Sequence, residues 1–252
     1  MTFKPEQTAA ALTEAHEALA PVQLSVFADG PGTREEAYDV QARVLAKLGA
    51  NGGFKTARPE PGRANIMAPI PARFIRPSPA RYTAREMRLV GVELEIAFLV
   101  RRNLPAPGAA DYDATLREAV AVVPVIEMVD SRIADRDAAS DLAKLADNQS
   151  GFGLVAGPPR ETLDGVNLKN PAVTFEINGA QTGPTAGQVP GPVDAFEVLK
   201  DFLATVGNHC GGVRPGQYIT TGALTGLHWG EHGDHVRGHI EGLGSVAVTI
   251  AE

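Results

Sequence analysis

Residues 91–100 read Gly-Val-Glu-Leu-Glu-Ile-Ala-Phe-Leu-Val, and no other stretch limits the fold so tightly. An extended chain sends successive side chains to opposite faces. Val92, Leu94 and Ile96 then form one apolar face, and Glu93 and Glu95 share the other, about 6.6–6.8 Å apart along the strand. With so few other polar groups nearby, the strand is expected to be buried or nearly so. Two carboxylates on one face of such a strand repel each other and lose hydration. They are tolerable if a cation neutralises them or if one keeps a proton. Alternatively they are the wet face of a half-exposed antiparallel strand, and this stretch alone leaves both readings open.

Residues 122–130, Val-Val-Pro-Val-Ile-Glu-Met-Val-Asp, tip the balance. Apolar residues lie at both parities around Glu127, the pattern of a strand covered on both faces. An unpaired ionised carboxylate there is very costly. Three acids with no flanking Cys or His offer only oxygen, which suits a hard divalent ion such as Mg²⁺ or Mn²⁺. The competing reading of Glu127 is a structural ion pair with an Arg or Lys elsewhere in the chain.

At 252 residues the chain has room for one large or two small domains. A net charge of −7 argues against a nucleic-acid partner, which needs a basic surface. The single cysteine, Cys210, rules out an intrachain disulfide and points to a reducing cytoplasm. The N-terminal residues lack the apolar core of a signal peptide, and no apolar run is uninterrupted enough to span a membrane.

Helical periodicity is expected over residues 5–20, with Glu6, Glu14 and Glu17 outward. A second helix over 33–48 has Thr33 and Glu36 spaced as a capping box and is stopped by Gly49 and Gly52-Gly53. Residues 1–58 are thus expected to form a small helical N-terminal lobe, and 59–252 a mixed-sheet domain working with it as one unit. Residues 59–79 hold six prolines and are expected to be a loop. Further helices are expected over 112–122, 138–146 and, after Pro192, 193–207. Strand signals lie at 152–156, 173–178, 218–221 and 246–250. Because strands and helices do not alternate, the expected class is α+β around a curled, barrel-like mixed sheet rather than a doubly wound parallel one. No Rossmann or P-loop fingerprint is present.

Lys55, beside Phe54 and a glycine pair, is either a solvated surface lysine or a site group that binds an anion or trades protons. His228, His232, His235 and His239 superficially resemble a zinc cluster, but Gly230, Gly233 and Gly238 break any helix that would align them. Solvent-exposed loop histidines are the expectation. Cys210 has no CxxC partner and is expected to be idle. The Gly-x-Ser-x-Gly of the simplest serine hydrolases is absent.

Together these motifs resemble the fumarylacetoacetate hydrolase superfamily, in its branch of 2-keto-4-pentenoate hydratases and 4-oxalocrotonate decarboxylases. Ala37-Tyr38-Asp39-Val40-Gln41 is similar to a helix motif of that branch, Gly53-Phe54-Lys55 to its Gly-aromatic-Lys, and the Glu93/Glu95 strand to its Glu-x-Glu. The run from Glu127 through Asp130-Ser131-Arg132-Ile133 resembles its Glu-x-x-Asp-Ser-Arg-Ile segment. Asp147-Asn148-Gln149-Ser150 matches an Asp-Asn-x-Ser turn, and the runs at 220–226 and 243–246 resemble its C-terminal signatures. The resemblance implies that Glu93, Glu95 and Glu127 hold Mg²⁺ or Mn²⁺ and that Lys55 sits beside the substrate. Ser150 and Thr221 fall at substrate-contacting positions, and His228 at a position where the branch often has His. It further implies a cytoplasmic homo-oligomer of aromatic catabolism with a small 2-oxo acid substrate. The implied chemistry is water addition to a 2-hydroxydienoate or 2-keto-4-enoate through a metal-stabilised enolate, with decarboxylation or C–C hydrolysis as alternatives.

The chain departs from the branch after the lysine. Thr56-Ala57-Arg58-Pro59 replaces the usual Ile-Gly-Leu-Thr, and the next segment is short and rich in Pro and Arg (Arg58, Arg63, Arg73, Arg76). Those arginines would contact the substrate tail and could grip a second carboxylate. The same departure keeps open a non-catalytic partner subunit associated with a pathway enzyme.

Overall fold

The computed structural model describes residues 3–57 and 65–252. Helices α1 (Pro5–Ala18) and α2 (Arg34–Leu48) come first and pack on each other. The capping box is in place: the Glu36 N–H donates to Thr33 Oγ1 at 3.2 Å, and the Thr33 N–H donates to Glu36 Oε2 at 3.3 Å. Strand β1 (Asn51–Ala57) follows, then β2 (Ile66–Pro71), β3 (Ile75–Pro77) and β4 (Ala80–Thr83). The expectation of a loop over 59–79 is therefore corrected, since β2 and β3 both lie within it. Their prolines fit because these two strands are the edges of their sheet, where a missing N–H removes no ladder bond. Arg58, Pro59, Pro61 and Arg63 lie outside the described residues.

The long strands β5 (Val90–Val100) and β6 (Val120–Val129) are separated by α3 (Tyr112–Ala119). Helix α3 stops earlier than its apolar pattern suggests because the β-branched run from Val120 is taken into the sheet. Next come α4 (Asp141–Ala146), β7 (Gly151–Ala156), β8 (Val173–Ile177), β9 (Ala180–Gln181) and α5 (Ala195–Thr205). The cap of α5 is Asp194, which accepts the Glu197 N–H at 2.9 Å. Strands β10 (Tyr218–Ala223), β11 (His228–Gly230), β12 (His235–Ile240) and β13 (Gly244–Ala251) close the chain. Three of the histidines are thus on strands, not in a loop. His235 and His239 do face solvent, each with Nδ1 hydrogen-bonded to a neighbouring hydroxyl, Thr249 and Ser245.

Two mixed sheets result. The larger runs β2-β1-β10-β5-β6-β7-β3 with β11 on the far part of β5, and the smaller runs β4-β13-β12-β8-β9. Among the described residues no ladder joins β2 to β3, so the larger sheet curls without closing. Val92, Leu94, Ile96 and Phe98 point from β5 into the main core with Phe196, Val236 and Val248. Leu94 fills the space where a side chain on Gly238 of β12 would stand, which brings the two sheets close. The opposite face of β5 continues past Glu93 and Glu95 as Ala97 and Leu99. There it meets Val123 and Val125 of β6 and Leu154 and Ala156 of β7 in a second apolar cluster. From Glu95 onward the carboxylate face is therefore interior, and only Glu93 at its outer end is partly exposed.

Candidate metal and substrate site

Strand register brings the three acids together. Glu93 and Glu127 stand directly opposite each other in the antiparallel β5–β6 pair, and Glu95 follows on the same face. One carboxylate oxygen from each lies within 4.8 Å of the others, the only such grouping of acids, His or Cys among the described residues. Glu127 is fully buried, Glu95 is 2% exposed, and Glu93 is half-buried at the outer end.

Lys55 meets them from β1. Its Nζ lies 2.6 Å from Glu127 Oε1, with 13% of the lysine side chain reaching solvent, and donates to the Gln149 carbonyl at 3.3 Å. On a flat sheet β1 and β6, three positions apart, would stand about 14 Å from each other. The ion pair is possible only because the sheet curls, folding its two halves toward one interior. The structural ion pair considered for Glu127 does exist, and its partner is the other candidate site residue.

Charge balance explains the perturbed titrations. Burial, then Glu127 and Glu93, push the Glu95 carboxyl well above its usual range. Glu127 is also raised by burial, against the pull of Lys55. Burial works against the Lys55 ammonium, but Glu127, Glu93 and Glu95 outweigh it and hold the group above its ordinary value. Among the described residues neither Glu127 oxygen receives a well-aligned hydrogen bond, the contact with Lys55 being an ion pair. With all three carboxylates deprotonated, one ammonium would leave a formal charge of −2 on an all-oxygen set. The unpartnered Glu127 Oε2 and that charge fit a hard divalent cation.

Two irregular backbone segments hold the site, and neither is visible as a side-chain motif. Strand β10 shifts register between Thr220 and Ala223, a bulge that frees two consecutive N–H groups. Thr221 N and Gly222 N donate to Glu95 Oε2 at 3.1 and 2.7 Å. The Thr221 hydroxyl donates instead to the Ile96 carbonyl at 2.8 Å, so Thr221 serves the site through its backbone. The second segment is the turn before β7, where Asn148, Gln149 and Ser150 all take left-handed φ of 52°, 51° and 59°. Non-glycine residues adopt such values at a cost of about 1–3 kcal/mol each. Asp147 braces this turn, accepting from Ser131 Oγ at 2.9 Å and from Arg132 N and Nε at 3.0 and 2.6 Å. Ser150 is 1% exposed and accepts from Arg136 Nε at 3.1 Å.

Other candidates fall away from this centre. Arg76 is spent on Glu86, and Arg73 lies against the Phe74 ring. His228 Nε2 donates to the Thr225 carbonyl at 3.0 Å. Burial pushes the Cys210 thiol up to about 12, which leaves it inert at neutral pH. The Gln149 carbonyl, the Gly222 N–H and Arg136 are the participants that sequence reasoning missed. Only the Asp-Asn-x-Ser turn signalled that something near Gln149 mattered.

The curled mixed sheet thus carries three convergent glutamates opposite a lysine. The chain shares its fold with 4-oxalocrotonate decarboxylase from Pseudomonas putida G7, solved as a complex with magnesium and adipate. That match has a TM-score of 0.80 at 24% identity and covers 99% of both chains. In sequence the chain is 33% identical over 163 residues to a 2-keto-4-pentenoate hydratase from Burkholderia vietnamiensis, covering 64% of this chain and 60% of the relative. It is 29% identical over 161 residues to a 4-oxalocrotonate decarboxylase from Pseudomonas putida, covering 63% and 59%. The match thus spans about three-fifths of the length of these curated relatives. No family model matches the chain. Among the described residues no helix is long and apolar enough to cross a membrane.

Proposed function

We propose that this chain is a metal-dependent hydro-lyase that adds water to a 2-hydroxydienoate or 2-keto-4-enoate. The observation that carries the proposal is the buried trio Glu93, Glu95 and Glu127 within 4.8 Å of one another, with Lys55 at 2.6 Å from Glu127. The three glutamates hold Mg²⁺ or Mn²⁺. When bound, the ion acts as a Lewis acid toward negative charge developing on the 2-oxo oxygen. Gly222 N and Thr221 N fix Glu95 in position. Lys55 exchanges a proton with the substrate chain at Nζ. Ser150 contacts the substrate through its hydroxyl, and Thr221 acts through the backbone N–H that holds Glu95. The apolar residues Ala97, Val125 and Leu154 behind the acids keep bulk water away, so that only positioned water competes.

Decarboxylation of a related keto diacid is the second reading, favoured by the fold shared over 99% of the chain with a 4-oxalocrotonate decarboxylase. The resemblance also supports a cytoplasmic homo-oligomer, whose subunit number light scattering on the purified protein tests.

The deciding experiment presents the protein plus Mg²⁺ or Mn²⁺ with 2-keto-4-enoates and oxalocrotonate-like diacids and follows ultraviolet absorbance. Hydration, decarboxylation and C–C hydrolysis give different products and are separated in one panel. Glu93→Gln and Glu127→Gln are expected to abolish metal-dependent turnover while the protein stays folded. Full activity in either variant rejects the assigned role. Silence of the unaltered protein with metal demonstrably bound favours a non-catalytic partner subunit.

A further inference from the structure

We propose that Arg136 forms a subsite for the second carboxylate of a dicarboxylic 2-oxo acid, and so makes this chain select diacids over monoacids. The inference rests on the site reading above and names its substrate class.

Arg136 lies in the loop between β6 and α4, and its Nε donates to Ser150 Oγ at 3.1 Å. Ser150 sits between two contacts with the candidate site. On one side the Gln149 carbonyl accepts from Lys55 Nζ. On the other, a side chain on Gly151 would meet Lys55 Cδ at 3.0 Å and Glu127 Oε1 at 3.5 Å. Ser150 thus links the guanidinium to Gln149 and Gly151, the two residues that lie beside Lys55 and Glu127.

Its donors are mostly unspent. Among the described residues the Nη groups have only Asp137 Oδ1 at 3.5 Å, on a side chain 94% exposed. A pair like that is weak and screened, and a better acceptor displaces it. The neighbouring arginines are committed. Arg132 is bound to Asp147 and to the Asp130 and Gly151 carbonyls, Arg88 to the Ser131 carbonyl, and Arg76 to Glu86. Arg136 is 36% exposed, so one edge of its fork remains open to a ligand.

The chemistry of the pair selects an anion. A guanidinium held through Nε presents its two Nη groups as a planar fork that matches a carboxylate. Because Ser150 Oγ accepts from Arg136, its own hydrogen is free to donate to the same ligand. A diacid can then place its 2-oxo acid end at the glutamates and its far carboxylate at Arg136 and Ser150, whereas a monoacid leaves the fork unpaired.

The test compares the unaltered protein, Arg136→Gln and Arg136→Lys, all loaded with Mg²⁺. Calorimetry measures binding of adipate against hexanoate, a diacid and a monoacid of the same chain length. Ultraviolet assays measure kcat/KM on a 2-hydroxydiene diacid against the corresponding monoacid. The unaltered protein is expected to favour the diacid, and Arg136→Gln to lower the diacid-to-monoacid ratio by about tenfold to a hundredfold, chiefly through KM. Arg136→Lys should recover part of the preference. An unchanged ratio in Arg136→Gln, or no preference in the unaltered protein, overturns the subsite. If adipate preference depends on Arg136 but neither substrate is consumed, the subsite stands and the proposed activity fails. Turnover with an Arg136-independent ratio overturns the subsite and leaves the activity standing.

Discussion

Lys55 and Glu127 neutralise each other at 2.6 Å in a place where either alone would be costly. The same ammonium therefore stabilises the acid cluster and, under the proposed role of the glutamates, would compete with a metal for it. Removing it separates the two roles. Lys55→Met is expected to bind Mg²⁺ at least as tightly as the unaltered protein, because the competing cation is gone, while turnover falls by about 10²–10⁴-fold. Calorimetry and the ultraviolet assay check the two halves, and loss of metal binding along with activity would mark the lysine as merely structural. Protons compete for the same oxygens. Burial and its two acidic neighbours raise Glu95, so the proposed metal would have to displace a proton there. Mg²⁺ affinity should accordingly increase with pH, with proton release visible as a buffer-dependent heat of binding. A pH-independent affinity and no proton release would contradict that coupling.

At the scale of elements, the site depends on how closely strands approach and on which turns are braced. Gly53 lies against the Tyr218 backbone in the parallel β1–β10 pair, where an added methyl would overlap the Tyr218 carbonyl. Gly53→Ala should push β1 outward, cost about 1–3 kcal/mol in urea unfolding, and reduce turnover further by moving Lys55, two residues along. Preserved stability and activity together would show that the strands tolerate the wider spacing. The turn before β7 has its own brace. Asp147→Asn leaves Arg132, 7% exposed, without its counter-charge and should cost about 3–5 kcal/mol. A loss under about 1 kcal/mol, the size of an ordinary hydrogen bond, would mean that the carbonyls around Arg132 suffice. These two elements also mark where the sequence is readable. The shared face of Glu93 and Glu95 is legible because side chains alternate along a strand, and Glu127 because it is a lone acid within an otherwise apolar run. The β10 bulge and the left-handed turn at 148–150 are not, because Thr221, Gly222 and Gln149 act through backbone atoms that every residue carries. The proline-rich strands escape a sequence reading for a related reason, since proline excludes a strand interior but not an edge.

For the molecule as a whole, two partly buried histidines fasten the helical layer to the sheet, and both oppose protonation. His16 of α1 packs its ring 4.9 Å from Phe74 and 5.6 Å from Phe152. Burial, with Arg132 and Arg73 nearby, lowers it to about 3. His209 is lowered by burial to about 4. Its Nε2 lies 2.9 Å from Gln41 Oε1 of α2, and Gln41 Nε2 donates to the Met67 and Leu145 carbonyls. This fixes the amide and makes the imidazole the donor. The unfolded chain protonates its histidines near 6.5, whereas these two stay neutral in the folded protein until about 3 and 4. Between those values the unfolded state binds more protons, so their contribution is complete above about 6.5 and is lost as the pH falls toward 4. The raised carboxyls of Glu95 and Glu127 have the opposite sign, because acid relieves their repulsion. Mild acid should therefore loosen α1 and α2 while the β5–β6 pair remains protected. Hydrogen exchange at about pH 7 and about pH 4.5, on either side of the unfolded histidine value, measures this, and His209→Gln should flatten part of the fall in urea stability over that range. If exchange accelerates equally in the helices and in β5 and β6, the histidines are not what joins the two layers.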